Sequence, residues 1–501
     1  MELIKVKTPY GTLVGRRHRQ GVEFLGIRYA EAPTGELRFL PPVPRRVAPE
    51  EEVLALEPGA APPQPHRPAP PWGGALPSPA TSEDCLNLSV FTPAPDDAGR
   101  PVLVHLFGGG FETGSGSGGL QDGAALAARG DCVVVRLNFR VGALGFLYLG
   151  QAWGTPYTAG NVALLDVVTA LEWVRENIRP LGGNPDNVTL FGISSGAFMI
   201  SSLFGVPASR GLFHKAWLQS GSASRILQAE IATEQARQFL EILEIKPGDS
   251  RALQQVAVDR IIEAQARVVA QDVGERNAPG GRTLGVVFDG QTLTSHPLEA
   301  LRRGERKEIP ILAGTTTDET RLWFAMGVMG QASWEGLDLE FKRFAGPARG
   351  PTLLNYYRRR LPEASPNQVR EIFLTEAIYR IPALRTALSQ IQAGGKAYVY
   401  RFDWPSPVLE GKIGATHGLD EPFVWGVTDP EKTGLVEDTP FTRQVAQELG
   451  EALFRFARSG DPGWPQYQPG EATGRLFGNP EAVLADMDSE LLAEWDGIER
   501  R

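Results

Sequence analysis

The sequence predicts an α/β fold with a mostly parallel central sheet and helices on both faces. Short apolar runs bounded by Gly, Pro, Asp or Asn are typical of buried parallel strands, and residues 102–107 and 132–137 form two of them. Between the second run and a third at residues 188–191, apolar side chains recur at steps of three and four through residues 161–178, which is helical spacing. A strand, a helix and a strand in this order predict right-handed crossovers and a parallel sheet.

Three later runs extend the predicted sheet, at Lys215–Gln219, residues 309–313 and residues 396–402. The segments around residues 228–282 and 320–393 are largely helical in pattern, and we expect them to cover the sheet or to form helical cap segments. The length of 501 residues exceeds the usual size of one domain, but no internal repeat divides the chain. We therefore predict a single large domain over residues 1–501.

Composition and charge argue against several classes of partner. The chain carries 59 acidic and 50 basic side chains without a block of Lys or Arg, so neither nucleic acid nor an anionic membrane surface is an expected partner. No apolar run approaches the length of a membrane span, and the first residues alternate like a strand rather than resembling a signal peptide. With only two cysteines, we expect a cytoplasmic protein. The oligomeric state is open, with a monomer slightly favoured.

A Gly-x-Ser-x-Gly motif follows the third strand and places Ser194 at its centre. The apolar run at residues 188–191 leads into the letters GISSG at residues 192–196, and a helical pattern follows. A serine on so tight a turn adopts a strained backbone that leaves little room beside it, which explains the glycines. The turn lifts the hydroxyl towards the free amides of a helix N-terminus, so the motif predicts Ser194 as a nucleophile. Ser195 is a rival hydroxyl whose side chain we expect to turn away.

The strand at residues 102–107 runs into three glycines, which predicts an oxyanion hole. Consecutive glycines let backbone N–H groups converge on one point without side chains that would block a substrate. We assign the amides of Gly109 and Gly110 as donors, with the amide of Ser195 as the third. The alternative is a flexible loop, since the glycine bias continues through residues 114–119.

Together these motifs resemble the type-B carboxylesterase family, which includes the cholinesterases and bacterial p-nitrobenzyl esterases. The likeness spans nearly the whole chain and also rests on residues 26–30, 83–90, 137–142, 145–147, 181–188, 219–221 and 456–462. The resemblance implies the α/β-hydrolase fold and a serine carboxylesterase that hydrolyses carboxylic esters of short to medium acyl chain. It implies a small-molecule ester as substrate, and neither a metal nor an organic cofactor.

Three positions depart from the family pattern. Ile193 stands where the family usually has Glu, and Ser195 stands where it usually has Ala. Phe107 replaces the His or Tyr before the glycines, with His105 two positions earlier. None of these changes removes a catalytic atom. The family's disulfide partner upstream of Cys85 is absent, so we expect Cys85 to be a buried free thiol.

A histidine must activate the serine, and the chain contains six. In this fold the order is serine, acid, histidine, which leaves His214, His296 and His417. His214 follows the serine too closely to leave room for the acid, and His296 has the context of a turn residue at the start of a helix. His417 follows the predicted strand at residues 396–402 and resembles the family's histidine loop, so we predict it as the base.

The acid is predicted at the carboxyl end of the strand that starts at residue 309, the edge at which open α/β sheets place their chemistry. Spacing alone does not choose between Asp318 and Glu319. The family pattern places the acid at Glu319, with Asp318 as a neighbour that caps or pairs structurally. The acid would fix the imidazole tautomer and stabilise the imidazolium.

The resemblance also implies two buried ion pairs, Arg38 with Glu83 and Arg140 with Asp166. We expect these pairs to brace loops below the site rather than to take part in chemistry.

The substrate pocket is expected beneath a Pro/Ala-rich loop at residues 58–79 and the segment at residues 323–334. Candidates for lining it are the aromatic residues Trp72, Phe107, Phe111, Trp323 and Phe324. One alternative function is a non-catalytic binding or adhesion member of the same fold, which the presence of all three catalytic residues disfavours. Lipase, amide hydrolase or carbamate hydrolase activity is another, and the sequence does not separate these from an esterase.

Overall fold

A 13-stranded sheet runs through the part of the chain that the computed structural model describes, residues 2–66, 79–150, 160–272, 283–481 and 483–498. The strands of the molecule are β1 Glu2–Thr8, β2 Gly11–His18, β3 Gly21–Arg28, β4 Glu52–Leu54, β5 Asn87–Thr92, β6 Arg100–Leu106, β7 Val133–Leu137, β8 Gly183–Ile193, β9 Lys215–Gln219, β10 Leu227–Gln228, β11 Val287–Phe288, β12 Ile311–Thr316, β13 Ala397–Phe402, β14 Gly474–Phe477 and β15 Leu484–Ala485. The sheet has the order β1-β2-β3-β5-β7-β6-β8-β9-β12-β13-β14-β15, and β4 pairs with β2. Strands β10 and β11 form a separate small sheet.

Seven strands that are neighbours in the sheet, β7-β6-β8-β9-β12-β13-β14, run parallel to one another. Antiparallel strands flank this parallel part of the sheet at both ends. Strands β5, β7, β9 and β12 are buried along their whole length, because both faces of the sheet are covered. This architecture confirms the mostly parallel α/β sheet that the sequence predicts. Parallel order also brings the carboxyl ends of β6, β8, β12 and β13 to one edge, where the candidate site lies.

Sixteen α-helices occur in the described residues. They are α1 Gly123–Gly130, α2 Gly142–Phe146, α3 Val162–Asn177, α4 Ser195–Ser202, α5 Ala229–Leu243, α6 Ser250–Gln255, α7 Val258–Asp272, α8 Pro297–Arg302, α9 Arg321–Ala325, α10 Trp334–Arg360, α11 Pro366–Thr375, α12 Ile381–Gln392, α13 Asp420–Trp425, α14 Pro430–Thr433, α15 Pro440–Ser459 and α16 Ser489–Glu494. A π-helical turn, Glu376–Arg380, joins α11 to α12. None of the described helices is long and apolar enough to cross a membrane.

The two segments expected to be helical are helical where the structure describes them. Helices α5 to α7 occupy residues 229–272 of the first segment, and residues 273–282 lie outside the described residues. Helices α9 to α12 and the π-helical turn occupy the second. The single domain over residues 1–501 stays a prediction.

Two strands are longer than the apolar pattern indicates. Strand β8 begins at Gly183 rather than near residue 188, because its first residues pair with β6 across an irregularity that tolerates polar side chains. Strand β12 continues to Thr316 and is buried throughout. Its extra residues carry the chain to the turn that holds the candidate acid.

Both ion pairs implied by the resemblance are present. The Arg38 guanidinium donates to both carboxylate oxygens of Glu83 at 2.7 Å, and it also donates to two backbone carbonyls at the end of α6. Arg140 donates to Asp166 at 2.9 and 2.6 Å, and Asp166 is fully buried. Because both partners of each pair are largely removed from water, loss of one partner would leave a buried charge.

Both cysteines are buried free thiols, as expected for Cys85. Burial raises the pKa of the Cys85 thiol well above its ordinary range. The native protein therefore holds Cys85 as an unreactive thiol.

Candidate active site

Ser194 lies on the sharp turn between β8 and α4. Its backbone has φ 54° and ψ −123°, a strained conformation for a residue with a side chain. The Ser194 N–H donates to the Gln219 carbonyl at 2.8 Å, which ties the turn to the end of β9. A Cβ atom at Gly192 or Gly196 would lie 2.5 or 2.1 Å from the Leu106 carbonyl oxygen, so only glycine fits on either side.

The glycine loop after β6 packs directly against this turn. A Cβ atom at Gly108 would lie 3.3 Å from the Cβ of Ser194. Gly109 and Gly110 have φ of 128° and 69°, and the Gly109 carbonyl accepts hydrogen bonds from the N–H and hydroxyl of Thr113 at 3.2 and 3.0 Å. The loop is thus fixed by its own hydrogen bonds beside the serine.

Three backbone amides near Ser194 are available to an anion. Among the described residues, the N–H groups of Gly109 and Gly110 donate to no protein acceptor. Ser195 is the first residue of α4, so its N–H has no carbonyl one turn earlier in the helix. Unpaired backbone amides suit the negative charge that develops on an attacked carbonyl oxygen, and the Ser195 amide has the added advantage of a helix N-terminus.

His417 and Glu319 form a close pair at the same edge of the sheet. His417 Nδ1 lies 2.6 Å from Glu319 Oε2, and Glu319 Oε1 accepts the Thr316 N–H at 2.9 Å. The carboxylate is fully buried, and the imidazole is 13% exposed. A carboxylate at Nδ1 holds the proton on that nitrogen, which leaves Nε2 free to act as a base.

Asp318, the rival acid, is used to anchor the histidine loop. Its carboxylate accepts the Ala415 N–H at 2.9 Å and pairs with Arg321 at 2.7 Å. Burial raises the pKa of Asp318, and the Arg321 charge opposes that shift. The anchored loop lies against the serine turn, since a Cβ atom at Gly418 would be 3.7 Å from Ile193 Cδ1.

The other candidate histidines serve local structure. His214 Nδ1 accepts the Val188 N–H at 3.1 Å, and His296 caps α8 by accepting the Leu298 N–H at 3.3 Å. His105 is buried against the rings of Phe191 and Trp425, and burial lowers its pKa to about 3, so it stays neutral.

Comparison with known proteins supports the resemblance seen in the sequence. A model of the carboxylesterase family matches residues 2–473. The chain belongs to the carboxylesterase family. It is 34% identical to the para-nitrobenzyl esterase of Bacillus subtilis (strain 168) over 97% of both chains.

Solved structures of two esterases also match this chain over nearly its whole length. A carboxylesterase of Geobacillus stearothermophilus is 36% identical, with a TM-score of 0.85 over 98% of this chain and 99% of that one. A thermophilic pNB esterase is 32% identical, with a TM-score of 0.87 over the same shares. The present carboxylesterase is therefore an α/β-hydrolase and a carboxylic ester hydrolase.

Aromatic side chains surround the site of the carboxylesterase. The Trp323 ring lies 5.4 Å from the His417 ring, and Phe324, the next residue, is partly buried against the core. Phe111 is buried and contacts Phe198, which lies on α4 after Ser194, with a ring distance of 6.4 Å. Trp323, Phe324 and Phe111 stay predicted lining residues.

Two further residues, Phe107 and Trp72, were also predicted to line the substrate pocket. Phe107 is buried and stacks on Phe139 at 4.2 Å, directly beneath the backbone of Gly114. Its ring thus packs below the glycine loop. Trp72 lies outside the described residues.

Sequence reasoning missed Asp420, a second buried carboxylate near His417. It accepts hydrogen bonds from the Tyr400 hydroxyl at 2.6 Å and from Gln219 Nε2 at 3.2 Å, and burial raises its pKa. Since the Gln219 carbonyl also accepts the Ser194 N–H, these contacts connect the histidine loop to the serine turn. The feature of the sequence that could have indicated Asp420 is its position three residues after His417.

Tyr379 and Arg225 were missed as well. The Tyr379 ring lies 4.8 Å from the His417 ring, and the Arg225 guanidinium lies over the rings of Phe198 and Tyr379 at 5.3 and 5.9 Å. Neither residue belongs to a motif in the sequence. Among the described residues, no group of three or more His, Cys, Asp and Glu side chains is arranged to hold a metal ion.

Proposed function

We propose that this carboxylesterase hydrolyses esters by two-step acyl transfer through Ser194, His417 and Glu319. The proposal is carried by the 2.6 Å contact between His417 Nδ1 and the fully buried Glu319 carboxylate, on a loop that packs against the serine turn. A positioned base of this kind is what a serine hydroxyl needs, since it is a weak nucleophile at its own pKa.

In the first step, His417 Nε2 takes the hydroxyl proton as Ser194 Oγ attacks the ester carbonyl carbon. The carbonyl oxygen becomes an oxyanion, which the amides of Gly109, Gly110 and Ser195 stabilise. His417 then returns the proton to the leaving alkoxide as the carbon–oxygen bond breaks, and the acyl group remains on Ser194.

In the second step, His417 takes a proton from water, and the resulting hydroxide attacks the acyl-enzyme. The tetrahedral intermediate collapses, Ser194 recovers its proton from His417, and the carboxylic acid leaves. Glu319 holds the imidazole in one tautomer and stabilises the imidazolium in both steps. No step requires a metal or an organic cofactor.

Esters of short to medium acyl chain are the proposed substrates. Phe198 lies on the helix that follows the serine turn, Phe111 contacts Phe198, and Trp323 contacts the His417 ring. Such apolar walls favour an uncharged acyl group. Chain-length dependence of kcat/KM tests this part of the proposal.

The decisive experiment is burst kinetics with p-nitrophenyl acetate through p-nitrophenyl octanoate, with and without an organophosphate. We expect a burst of one p-nitrophenol per chain, loss of turnover after treatment, and mass-spectrometric label on Ser194. Ser194→Ala should abolish turnover, whereas the matched control Ser195→Ala keeps its backbone amide and should retain most of it. Substantial hydrolysis by Ser194→Ala, or label elsewhere, would refute the assignment.

The same assay separates the alternatives. Activity that rises only above the solubility limit of the substrate would indicate a lipase. Faster turnover of a p-nitroanilide or a carbamate than of the matched ester would indicate an amide or carbamate hydrolase. Neither turnover nor label with any substrate would move the assignment to a non-catalytic member of the fold.

A further inference from the structure

Two aromatic rings contact the imidazole of His417. The centroid of the Tyr379 ring lies 4.8 Å from the imidazole centroid, and that of Trp323 lies 5.4 Å away. The rings are tilted from the imidazole by 39° and 37°. The two rings come from different elements, the π-helical turn before α12 and helix α9.

The π-helical turn that carries Tyr379 is fixed by buried polar contacts. Glu376, at its start, is fully buried and accepts hydrogen bonds from Arg360 Nη1 at 2.8 Å and from the Tyr357 hydroxyl. Both donors lie on the last turns of α10. Tyr379 itself is 4% exposed, so its ring has little freedom to leave the imidazole.

The π-helical turn also contacts the end of β12, the strand that precedes Glu319. Arg380, next to Tyr379, donates through Nη2 to the carbonyls of Thr316 and Thr317 at 3.1 Å each. Thr316 in turn donates its N–H to the Glu319 carboxylate at 2.9 Å. The π-helical turn therefore contacts His417 directly through Tyr379, and it reaches Glu319 only indirectly, through Thr316. Single π-helical turns inside helices occur frequently at functional sites.

We propose that Tyr379 is a positioning residue that acts through His417, restricting its imidazole and stabilising the imidazolium. The face of an aromatic ring is electron-rich, and it attracts a cation within about 6 Å of its centroid. Because His417 is neutral before proton transfer and cationic afterwards, the attraction is stronger in the transition state and raises kcat. This inference rests on the proposed function, in which His417 is the base.

Other charged groups act on the same imidazole or on the Tyr379 ring. Glu319 contacts Nδ1 from the turn after β12, and Asp420 and Glu421 interact with it electrostatically from α13. Arg225 lies over the Tyr379 ring, with its guanidinium carbon 5.9 Å from the centroid. A substitution at Tyr379 keeps the three carboxylates but removes the ring over which Arg225 lies. Comparison with the wild type therefore reports the loss of the ring together with its contact with Arg225.

The test compares Tyr379→Phe, Tyr379→Leu and Tyr379→Met with Ile378→Ala, a buried control on the same turn. The readout is the pH dependence of kcat and KM for p-nitrophenyl butyrate, with thermal unfolding to verify that each variant is folded. We expect the Leu and Met variants to move the acid limb of the kcat/KM profile about half a pH unit towards lower pH. Their kcat should fall about three- to tenfold, with KM changed by less than about twofold. The Phe variant keeps the ring and should match the wild type.

Two results would overturn the inference. One is a wild-type acid limb in the folded Leu or Met variant, and the other is an equal shift in Ile378→Ala, which would indicate a general packing effect. The His417→Ala variant distinguishes failure of the role proposed for Tyr379 from failure of the proposed function. If His417→Ala retains turnover, the base assignment itself is wrong, whereas if it is inactive and the ring variants behave as wild type, only the role of Tyr379 fails.

Discussion

Replacing Glu319 with Gln should lower kcat about a thousandfold. The carboxylate is fully buried and lies 2.6 Å from His417 Nδ1, so solvent screens the pair little. With charge centres about 4 Å apart and an effective dielectric constant of about 20, the attraction to an imidazolium is about 4 kcal/mol. Since about 1.4 kcal/mol of barrier corresponds to a tenfold change in rate, loss of that attraction gives about three orders of magnitude. The Gln amide would also favour the tautomer in which Nε2 carries the proton.

The assay is steady-state hydrolysis of p-nitrophenyl butyrate, with active-site concentration normalised by organophosphate titration of the wild type. The matched control is Asp318→Asn, which removes the neighbouring carboxylate that pairs with Arg321 and anchors Ala415. The control should lower the melting temperature but keep kcat within about tenfold of the wild type. A Glu319→Gln enzyme that stays within tenfold of the wild type, or a control that loses as much activity, would refute the reasoning.

Three further substitutions test other parts of the structure. Gly109→Ala places a Cβ atom 2.1 Å from the Thr113 carbonyl oxygen at a φ of 128°, so the glycine loop must shift and kcat should fall about 100- to 1000-fold. An unchanged kcat would contradict the assignment of the Gly109 amide as a donor to the oxyanion. Asp166→Asn leaves the buried Arg140 charge uncompensated, so the free energy of unfolding measured by urea titration should fall by about 3–5 kcal/mol. A loss below about 1 kcal/mol would show that the ion pair does not stabilise the fold. Burial raises the pKa of Glu421 to about 7 from an ordinary 4.5, so the native state binds the extra proton and stability is lost as pH rises through that interval. Glu421→Gln should therefore increase the melting temperature relative to wild type more at pH 8.5 than at pH 5, and an equal effect at both values would contradict this.

The serine turn could be predicted because its determinants are local. A strand, two glycines around Ser194 and a helix follow one another within about 20 residues, and each is required by the backbone of the turn itself. The glycine loop is predictable for the same reason. Both ion pairs came from the family resemblance rather than from any local rule.

The acid and the aromatic contacts depend on how distant segments meet. Asp318 and Glu319 are adjacent in sequence, yet one carboxylate contacts Ala415 and the other contacts His417, because their side chains leave the turn in different directions. The spacing of residues along the sequence does not indicate in which direction each side chain leaves the turn. Tyr379 lies in a helical stretch without a motif, and only the packing of the π-helical turn against the histidine loop brings it to the site.

The hydrogen bond between His417 and Glu319 joins residues 98 positions apart, and the loops that carry them follow two strands that pair directly, β13 and β12. The serine follows a third strand, β8, which β9 separates from β12. Because contacts so distant along the chain form only after long loops have closed, we expect Ser194, His417 and Glu319 to come together late in folding. Recovery of esterase turnover after dilution from denaturant should thus lag behind recovery of helical circular dichroism, which makes the enzyme's own activity a reporter of its last folding step.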